Sequence, residues 1–518
     1  MKVITAQTMQ EVDRTAINDF GIPGITLMEN AGRLCAEEIL AAYGDMQHKQ
    51  AVVLAGKGNN GGDGYVIARH LLQNGWQVQV IVLARQDEIK GDALLALNQL
   101  EKHQVCFCTD TQEFISNHQQ QISEASLLVD ALLGTGLSHA LCGVYLEAVR
   151  LINRSQGVVV AVDIPSGING TTGKLPGEAV KADLTVTFAC IKAGHLLYPG
   201  ADYVGQLQVV DIGIPQTVLN SAKGYEFIDE AAATLLLKPR QRTAHKGDCG
   251  HCLVVAGSSG KSGAAVLAAN SAVRAGAGLV TLAVPQQLHQ TAEIKTTEVM
   301  TVPLPAEEPA SLNLSALPVI QQLLADKDML ALGPGIGTHP ETISLVQQLV
   351  KTITTPMVID ADGLNAIAKN PELLLRKAAQ TLILTPHPGE MARLCNITTH
   401  EVNHDRIAIA RDFASKYGVY QVLKGARTIM AAPDGRVAIN ASGNPGMASG
   451  GMGDLLTGII SALLAQKYDA WTAVRLGVFV HGMAGDLVAE KQGEIGMNAT
   501  DLQEMLPYVY KRLLSRRE

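Results

Sequence analysis

Ala51-Val52-Val53-Leu54-Ala55 runs directly into Gly56-Lys57-Gly58-Asn59-Asn60-Gly61-Gly62-Asp63-Gly64 and then into Tyr65-Val66-Ile67-Ala68-Arg69-His70-Leu71-Leu72-Gln73-Asn74-Gly75. A short apolar run, a glycine-rich break and a helix-like segment read as strand, turn and helix. Such glycines let a pyrophosphate approach the backbone N–H groups at a helix N-terminus. Gly56 to Gly61 matches G-x-G-x-x-G, but the acid that would hold a ribose is not clearly placed, because the next strand ends Leu83-Ala84-Arg85-Gln86-Asp87. A hydride-transferring dehydrogenase is therefore poorly supported.

Outward from this stretch, two helical patterns precede it, and strand-like runs follow as VQVIVLA from Val78, LLVDA from Leu127, VVVAVD from Val158 and LQVVDIGIP from Leu207. Helix-like segments separate them, so the pattern predicts βαβ units on a parallel sheet. Periodicity weakens between Ile214 and His245, which is read as a polar linker between domains. A second series begins at HCLVVAG from His251 and continues through GLVTLAV, MLALGPG, MVIDADG and TLILTPHPGE. VYQVLKG and TIMAAPDGRVAIN read as a meander beside that sheet, and helices dominate from Ser449. The expected domains are 1–215 and 226–518, both α/β, which suits 518 residues because single cores stop growing at roughly 250 to 300 residues.

The net charge of -8 comes without long charge runs, so no basic stripe exists for nucleic acid. No stretch of about 18 uncharged apolar residues suits a membrane, and the N-terminus has no apolar signal core, so the protein is expected to be cytoplasmic. Eight cysteines in such a chain are expected to be reduced. Cys249-Gly250-His251-Cys252 has redox spacing, but it leads into a strand instead of following one, and structural thiols are expected. A homo-oligomer acting on small molecules is the expected working state.

Asp130-Ala131-Leu132-Leu133-Gly134-Thr135-Gly136 and Asp163-Ile164-Pro165-Ser166-Gly167 also stand at the carboxyl ends of predicted strands. Ligands bind there in open α/β sheets, so Asn60, Asp130 and Asp163 are expected to face one cavity. Asn, Asp, Ser and carbonyl oxygens make a set suited to a hard cation. GKGNNGGDGYVIARHL, VDALLGTGL, VDIPSGING and FACIKAGH resemble the NAD(P)H-hydrate epimerase domain over roughly the first 215 residues. The resemblance implies a Rossmann-like three-layer fold, a potassium ion at Asn60, Asp130 and Ser166, and interconversion of R and S hydrates at C6 of the nicotinamide ring. It assigns the hydrate to Asn59, Asn60, Gly61, Gly62 and Asp63, to Gly134, Thr135, Gly136, Leu137, Ser138, His139 and Ala140, and to Asp163. Asp163 is the candidate acid/base and Lys192 the second candidate, since epimerisation needs proton transfer.

In the second series, Gly257-Ser258-Ser259-Gly260-Lys261-Ser262-Gly263 resembles a Walker loop only superficially, because Val255 stands where its first glycine is required. Asn444-Pro445-Gly446-Met447-Ala448-Ser449-Gly450-Gly451-Met452-Gly453-Asp454 opens an apolar helix. Its small residues would leave N–H groups aimed at an anion, with Asp454 in the first turn. Lys424-Gly425-Ala426-Arg427-Thr428 follows another strand and suits a phosphate. Together with LALGPGIG, VIDADGLNAI and LTPHPGEMARL, these motifs resemble the ADP-dependent NAD(P)H-hydrate dehydratase branch of the ribokinase-like superfamily from about Lys246 onward. The resemblance assigns Lys424 to Thr428 and Asn444 to Gly453 to ADP, and Ala265, Gly335, His387 and Asp454 to the hydrate. It implies that Asp454 deprotonates the C6 hydroxyl, that the nucleotide phosphorylates it, and that magnesium assists. A small-molecule kinase would explain Gly451 to Asp454 but not the first half of the chain.

Overall fold

The computed structural model describes residues 2–137 and 139–517. The chain divides into two compact units, Lys2–Gly224 and the residues from Tyr225 onward.

The N-terminal unit begins with β1 (Lys2–Ile4), α1 (Ala6–Asn18), α2 (Gly24–Tyr43), β2 (Gln50–Ala55) and α3 (Asn59–Gln73). It continues through β3 (Gln77–Val82), β4 (Val105–Phe107), β5 (Leu127–Ala131), β6 (Val158–Val162), β7 (Leu184–Phe188), β8 (Ile191–Lys192) and β9 (Gln206–Val210). Seven strands form one sheet in the order β4-β3-β2-β5-β6-β7-β9, and every pair in it is parallel. Alternate side chains serve opposite faces. Val53 and Ala55 pack with Ala31 and Cys35 of α2 and Val66 of α3, whereas Val52 and Leu54 pack with Phe114, Val144 and Ala148 across the sheet. The unit is thus three-layered, with the apolar strands of a sheet covered on both faces. Strand order reverses between β2 and β5, which opens a crevice at their carboxyl ends. A Cβ on Gly64 would stand 2.5 Å from the Ala131 methyl, so glycine lets α3 lie against β5.

Two elements were not foreseen. β1 and β8 pair in parallel, with Val3 beside Ile191 and Ile4 beside Lys192. Strands of three and two residues are too short to show a period.

The C-terminal unit contains β10 (Tyr225–Ile228), β11 (His251–Val255), β12 (Leu279–Pro285), β13 (Met300–Leu304), the small hairpin β14 (Ala306–Glu307) and β15 (Ser311–Leu312), β16 (Met329–Leu332), β17 (Met357–Ile359), β18 (Leu382–Leu384), β19 (Tyr420–Leu423), β20 (Ile429–Ala431) and β21 (Val437–Asn440). Within this unit the main sheet runs β13-β12-β11-β16-β17-β18-β19-β20-β21-β10. It is parallel as far as β19, and β19, β20 and β21 form the antiparallel meander expected from the sequence. Here too the order reverses, between β11 and β16. The helix Met452–Ala465 is buried nearly all round, which its apolar composition requires. A Cβ on Gly458 would stand 2.2 Å from the Ala268 carbonyl, so glycine sets the close contact with the helix Ser262–Arg274.

The stretch read as a linker is not featureless. It holds β10, paired with β21, and the helix Glu230–Leu236, whose Ala233 is completely buried. Cys249, just before β11, and Cys252, within it, are buried free thiols, as expected. Among the described residues, no helix is long and apolar enough to cross a membrane.

Candidate functional sites

At the N-terminal switch point lies a cavity of about 480 Å³, lined by residues that include Asn59, Asn60, Asp63, Gly134, Thr135, Gly136, Asp163 and Lys192. Three of these start α3, three come from the loop after β5, Asp163 is the turn after β6, and Lys192 ends β8. Asp163 sits at φ 64, a left-handed backbone rarely adopted by a non-glycine residue, and this turns its carboxylate toward Lys192. Lys192 Nζ donates to Asp163 Oδ1 at 2.5 Å, to Thr187 Oγ1 at 2.9 Å and to the Phe188 carbonyl at 3.0 Å. Thr187 Oγ1 also donates to Asp163 Oδ1 at 3.0 Å. The lysine side chain is 1% exposed and the aspartate 13%. Burial alone would raise the Asp163 pKa, but Lys192, His195 and Thr187 outweigh it and hold the carboxyl below its ordinary range.

His195 buttresses this pair. Its Nδ1 accepts the Lys192 N–H at 3.2 Å, which leaves Nε2 to donate to the Asp163 carbonyl at 2.9 Å. Burial, assisted by the Lys192 charge, pushes its pKa down to about 4, so the ring is neutral. Three further carboxyls line the cavity, Asp63 from α3, Asp13 from α1 and Asp92. Burial and the charges of Asp163 and Asp13 hold Asp63 well above the ordinary range. Burial pushes Asp13 up to about 6 against the pull of Lys192.

Asp130 does not reach the cavity lining, contrary to expectation. It is completely buried at the end of β5, because its carboxylate is consumed by the β6 turn. Ser166 N–H donates to Oδ2 at 2.7 Å, while Ser166 Oγ at 2.7 Å and Leu132 N–H at 3.2 Å donate to Oδ1. Ser166 Oγ lies 3.1 Å from the Leu133 carbonyl. Asn60 keeps a buried side-chain Nδ2 without a hydrogen-bond partner, so this amide has unused capacity. The Asp130 carboxylate, the Ser166 hydroxyl and the Leu133 carbonyl supply oxygen atoms suited to a hard monovalent cation, whereas the unpaired Asn60 Nδ2 is a donor that could only meet an acceptor.

The remaining hydrate assignments divide. Gly61 and Gly62 are packing residues, since added Cβ atoms would stand 2.0 Å from the Gly56 carbonyl and 2.5 Å from Met28. Leu137, His139 and Ala140 are outside the lining. Ser138 lies outside the described residues.

In the C-terminal unit, Gly451 at φ 90 opens the helix Met452–Ala465 in a conformation that suits glycine. Asp454 occupies the first turn. Burial first, then the charges of Asp360, Asp362 and Glu390, raise its pKa to about 7 against Lys424. Lys424 Nζ donates to Asp360 Oδ1 at 2.8 Å and lies 4.0 Å from Glu390 Oε2. Thr457 Oγ1 donates to the other Asp360 oxygen at 2.9 Å. A Cβ on Gly453 would stand 3.0 Å from Lys424 Nζ, so this glycine leaves the ammonium room beside the helix N-terminus.

Arg406 shapes the phosphate-candidate loop. Its guanidinium donates to the carbonyls of Ala426 at 2.6 Å, Leu423 at 3.1 Å and Lys424 at 3.3 Å. Within Lys424 to Thr428, Gly425 lies against Arg406, Arg427 donates to the Ala441 carbonyl, and Thr428 closes back on the Gly425 carbonyl at 3.0 Å. Asn444 Oδ1 accepts the Gly446 N–H at 3.0 Å, and its Nδ2 donates to Asp486 at 2.9 Å, fixing the turn Pro445–Met447. Ala448, Ser449 and Gly450 lead from that turn to Gly451.

Ala265 is buried beneath Gly257, and Gly335 packs its backbone on Lys261 and Ala264. Ser258 Oγ donates to the Gly335 carbonyl at 2.8 Å, joining the two switch-point loops. His387 caps the helix Pro388–Cys395, with Nδ1 accepting the Gly389 N–H at 3.0 Å and Nε2 lying 3.5 Å from Glu390.

Asp13, Asp360, Glu390 and Arg406 were not singled out from the sequence. Asp13 had one signal, a carboxylate in the stripe Met9, Asp13, Ile17 at helical spacing. Asp360 meets Lys424 only across 64 residues of chain, which no local pattern reveals.

Two switch-point sites, one a carboxylate–lysine cavity and the other a helix N-terminus beside a buried lysine, define a two-site α/β enzyme. Residues 24–194 match the family described as YjeF-related protein N-terminus, and residues 252–508 match the NAD(P)H-hydrate dehydratase family. The chain is 42% identical to a bifunctional NAD(P)H-hydrate repair enzyme of Moorella thermoacetica, over 99% of this chain and 97% of that one. It is 34% identical to the enzyme of that name from Escherichia coli, over 96% and 92% respectively. An ADP/ATP-dependent NAD(P)H-hydrate dehydratase of Bacillus subtilis, co-crystallised with ATP and Mg2+, is 28% identical with a TM-score of 0.48, covering 56% of this chain and all of that one. The chain belongs to the family of bifunctional NAD(P)H-hydrate repair enzymes, which join an epimerase, an isomerase activity, to a dehydratase, a lyase activity.

Proposed function

We propose that the N-terminal unit interconverts the R and S hydrates of NADH and NADPH at C6, and that the C-terminal unit uses ADP to dehydrate the S form. The observation that carries the second half is the placing of Asp454, with a pKa near 7, beside Lys424 at the glycine-opened helix N-terminus. A carboxyl poised near neutrality is suited to remove the C6 hydroxyl proton. The oxygen then takes the terminal phosphoryl of ADP as AMP leaves, and loss of phosphate together with a C5 proton restores the C5=C6 bond. Lys424 and the helix N–H groups face the charge that develops. Among the described residues, no three His, Cys, Asp or Glu are grouped to hold a metal ion, so a magnesium ion accompanying the nucleotide would rest chiefly on phosphate oxygens.

In the N-terminal unit, the hydrate would enter the cavity beside the Asp163–Lys192 pair. Asn60, Asp130 and Ser166 would hold a potassium ion, whose charge would offset the buried Asp130 carboxylate. The test is direct. The purified chain is given mixed hydrates with ADP, with ATP or with neither, and the dihydronicotinamide absorbance is followed. Recovery with ADP alone is expected, and recovery without any nucleotide would contradict the reading.

A further inference from the structure

Resting on the epimerase reading above, we propose that Asp13 is the acid/base residue that carries the proton during epimerisation, while the Asp163–Lys192 pair holds the hydrate. Asp13 lies outside residues 24–194 that match the N-terminal family, and its place is set by tertiary pairing. β1 is in register with β8, putting Ile4 beside Lys192, and the chain then turns into α1. The Ala6 N–H donates to Thr171 Oγ1 at 3.2 Å, anchoring the start of that helix. Met9, Asp13 and Ile17 recur every four residues and all line the cavity, so one face of α1 forms its wall.

Four carboxyls line this cavity, and the surroundings of Asp163, Asp63 and Asp13 give those three different work. Asp163 is locked by Lys192 and Thr187 as an ion-paired carboxylate, a poor proton carrier. Asp63 is only 8% exposed, and burial together with the like charges of Asp163 and Asp13 holds its pKa well above the ordinary range. Asp13 is half-buried, and its carboxylate accepts no hydrogen bond among the described residues, so nothing fixes it in one protonation state. The other charged groups on the wall are Lys57 and Asp92.

C6 bears both the hydroxyl and ring N1, so its configuration changes only when a bond to one of them opens and re-forms on the other face. As C6–N1 breaks, the Asp13 carboxylate takes the hydroxyl proton, the O–H electron pair becomes the second bond of an aldehyde, and the C6–N1 pair goes to N1. Asp13 then gives its proton to N1. Rotation about C5–C6 presents the other face, and the reverse transfers close the ring with no net gain or loss of protons or electrons.

The test uses full-length Asp13→Asn and Asp13→Glu with R hydrate and no nucleotide, following epimer composition by chromatography. The denaturant unfolding midpoint of each variant against wild type reports folding of the N-terminal unit, and dehydration of S hydrate with ADP reports the C-terminal one. Asp13→Asn is expected to lower kcat about 100- to 10,000-fold and to leave KM within about threefold. In the wild type, kcat/KM falls as pH drops through about 6, because the ionised carboxylate accepts the first proton, and Asp13→Asn loses that limb. Asp13→Glu is expected to recover at least about tenfold over Asn. Wild-type kcat in Asp13→Asn, a raised KM with kcat unchanged, or equal rates for Asn and Glu would overturn the proposal. A wild-type chain that fails to interconvert the epimers overturns the epimerase reading and this proposal with it.

Discussion

In the N-terminal unit, the loops after β2 and β5 surround a cavity of about 480 Å³ whose wall carries a buried ion pair and three further carboxyls. In the C-terminal unit, the helix N-terminus at Gly451 instead leaves N–H groups and the Lys424 ammonium available for an anion. Both sites lie on sheets whose strand order reverses, so topology explains where ligands bind but not what is done to them. The chemistry differs because one site moves protons without a co-substrate, whereas the other must stabilise a transferring phosphoryl group. The same contrast appears in the aspartates. Lys192 clamps Asp163 low, while burial and three neighbouring carboxyls raise Asp454 against Lys424.

The largest expected effect separates the two units. Asp454→Asn should lower dehydration about 100- to 10,000-fold, with epimerisation measured on the same preparation unchanged. In the wild type, dehydration kcat/KM should fall as pH drops through about 7, because protonation removes the base. Equal losses in both activities would break the comparison.

Lys192→Met sharpens it from the stability side. The substitution leaves Asp163 buried without its cation, and breaking such a pair costs about 3–5 kcal/mol, read as a lower midpoint in denaturant unfolding. Without Lys192, burial raises the Asp163 pKa, so the deficit shrinks at acid pH as protonation removes the stranded charge. An unchanged midpoint at neutral pH would show that the pair contributes nothing to folding.

Much of the fold was legible. AVVLA, LLVDA and VVVAVD are apolar on both faces, and only a sheet covered on both sides buries such runs. The convergence of strand ends places Asn60 and Asp163 in one cavity, whereas Asp63 and Lys192, which also line it, are pointed to only by the family resemblance. Asp130 was misplaced because strand-end position says nothing of whether a carboxylate points out or binds the next turn. β1 and α1 were invisible as site elements, since three residues carry no period and their partner β8 lies far along the chain. The linker reading failed similarly, because β10 becomes a strand only by pairing with β21.

A smaller effect is expected at the cation-candidate group. Asp130→Ala should weaken the dependence of epimerisation on potassium and raise KM for the hydrate, measured as activity against potassium at constant ionic strength. An unaltered potassium response would remove Asp130 from the ligand set.

The central claim is that one chain divides repair between two independent sites, and complementation between full-length variants tests it most directly. Asp163→Asn, given mixed hydrates and ADP, should restore dihydronicotinamide quickly for the S fraction and then slow to the rate of spontaneous epimerisation. Asp454→Asn should interconvert the epimers and restore almost none. Mixing the two variants should carry the reaction to completion at a rate approaching that of the wild type. Complete, rapid repair by Asp163→Asn alone would contradict the account.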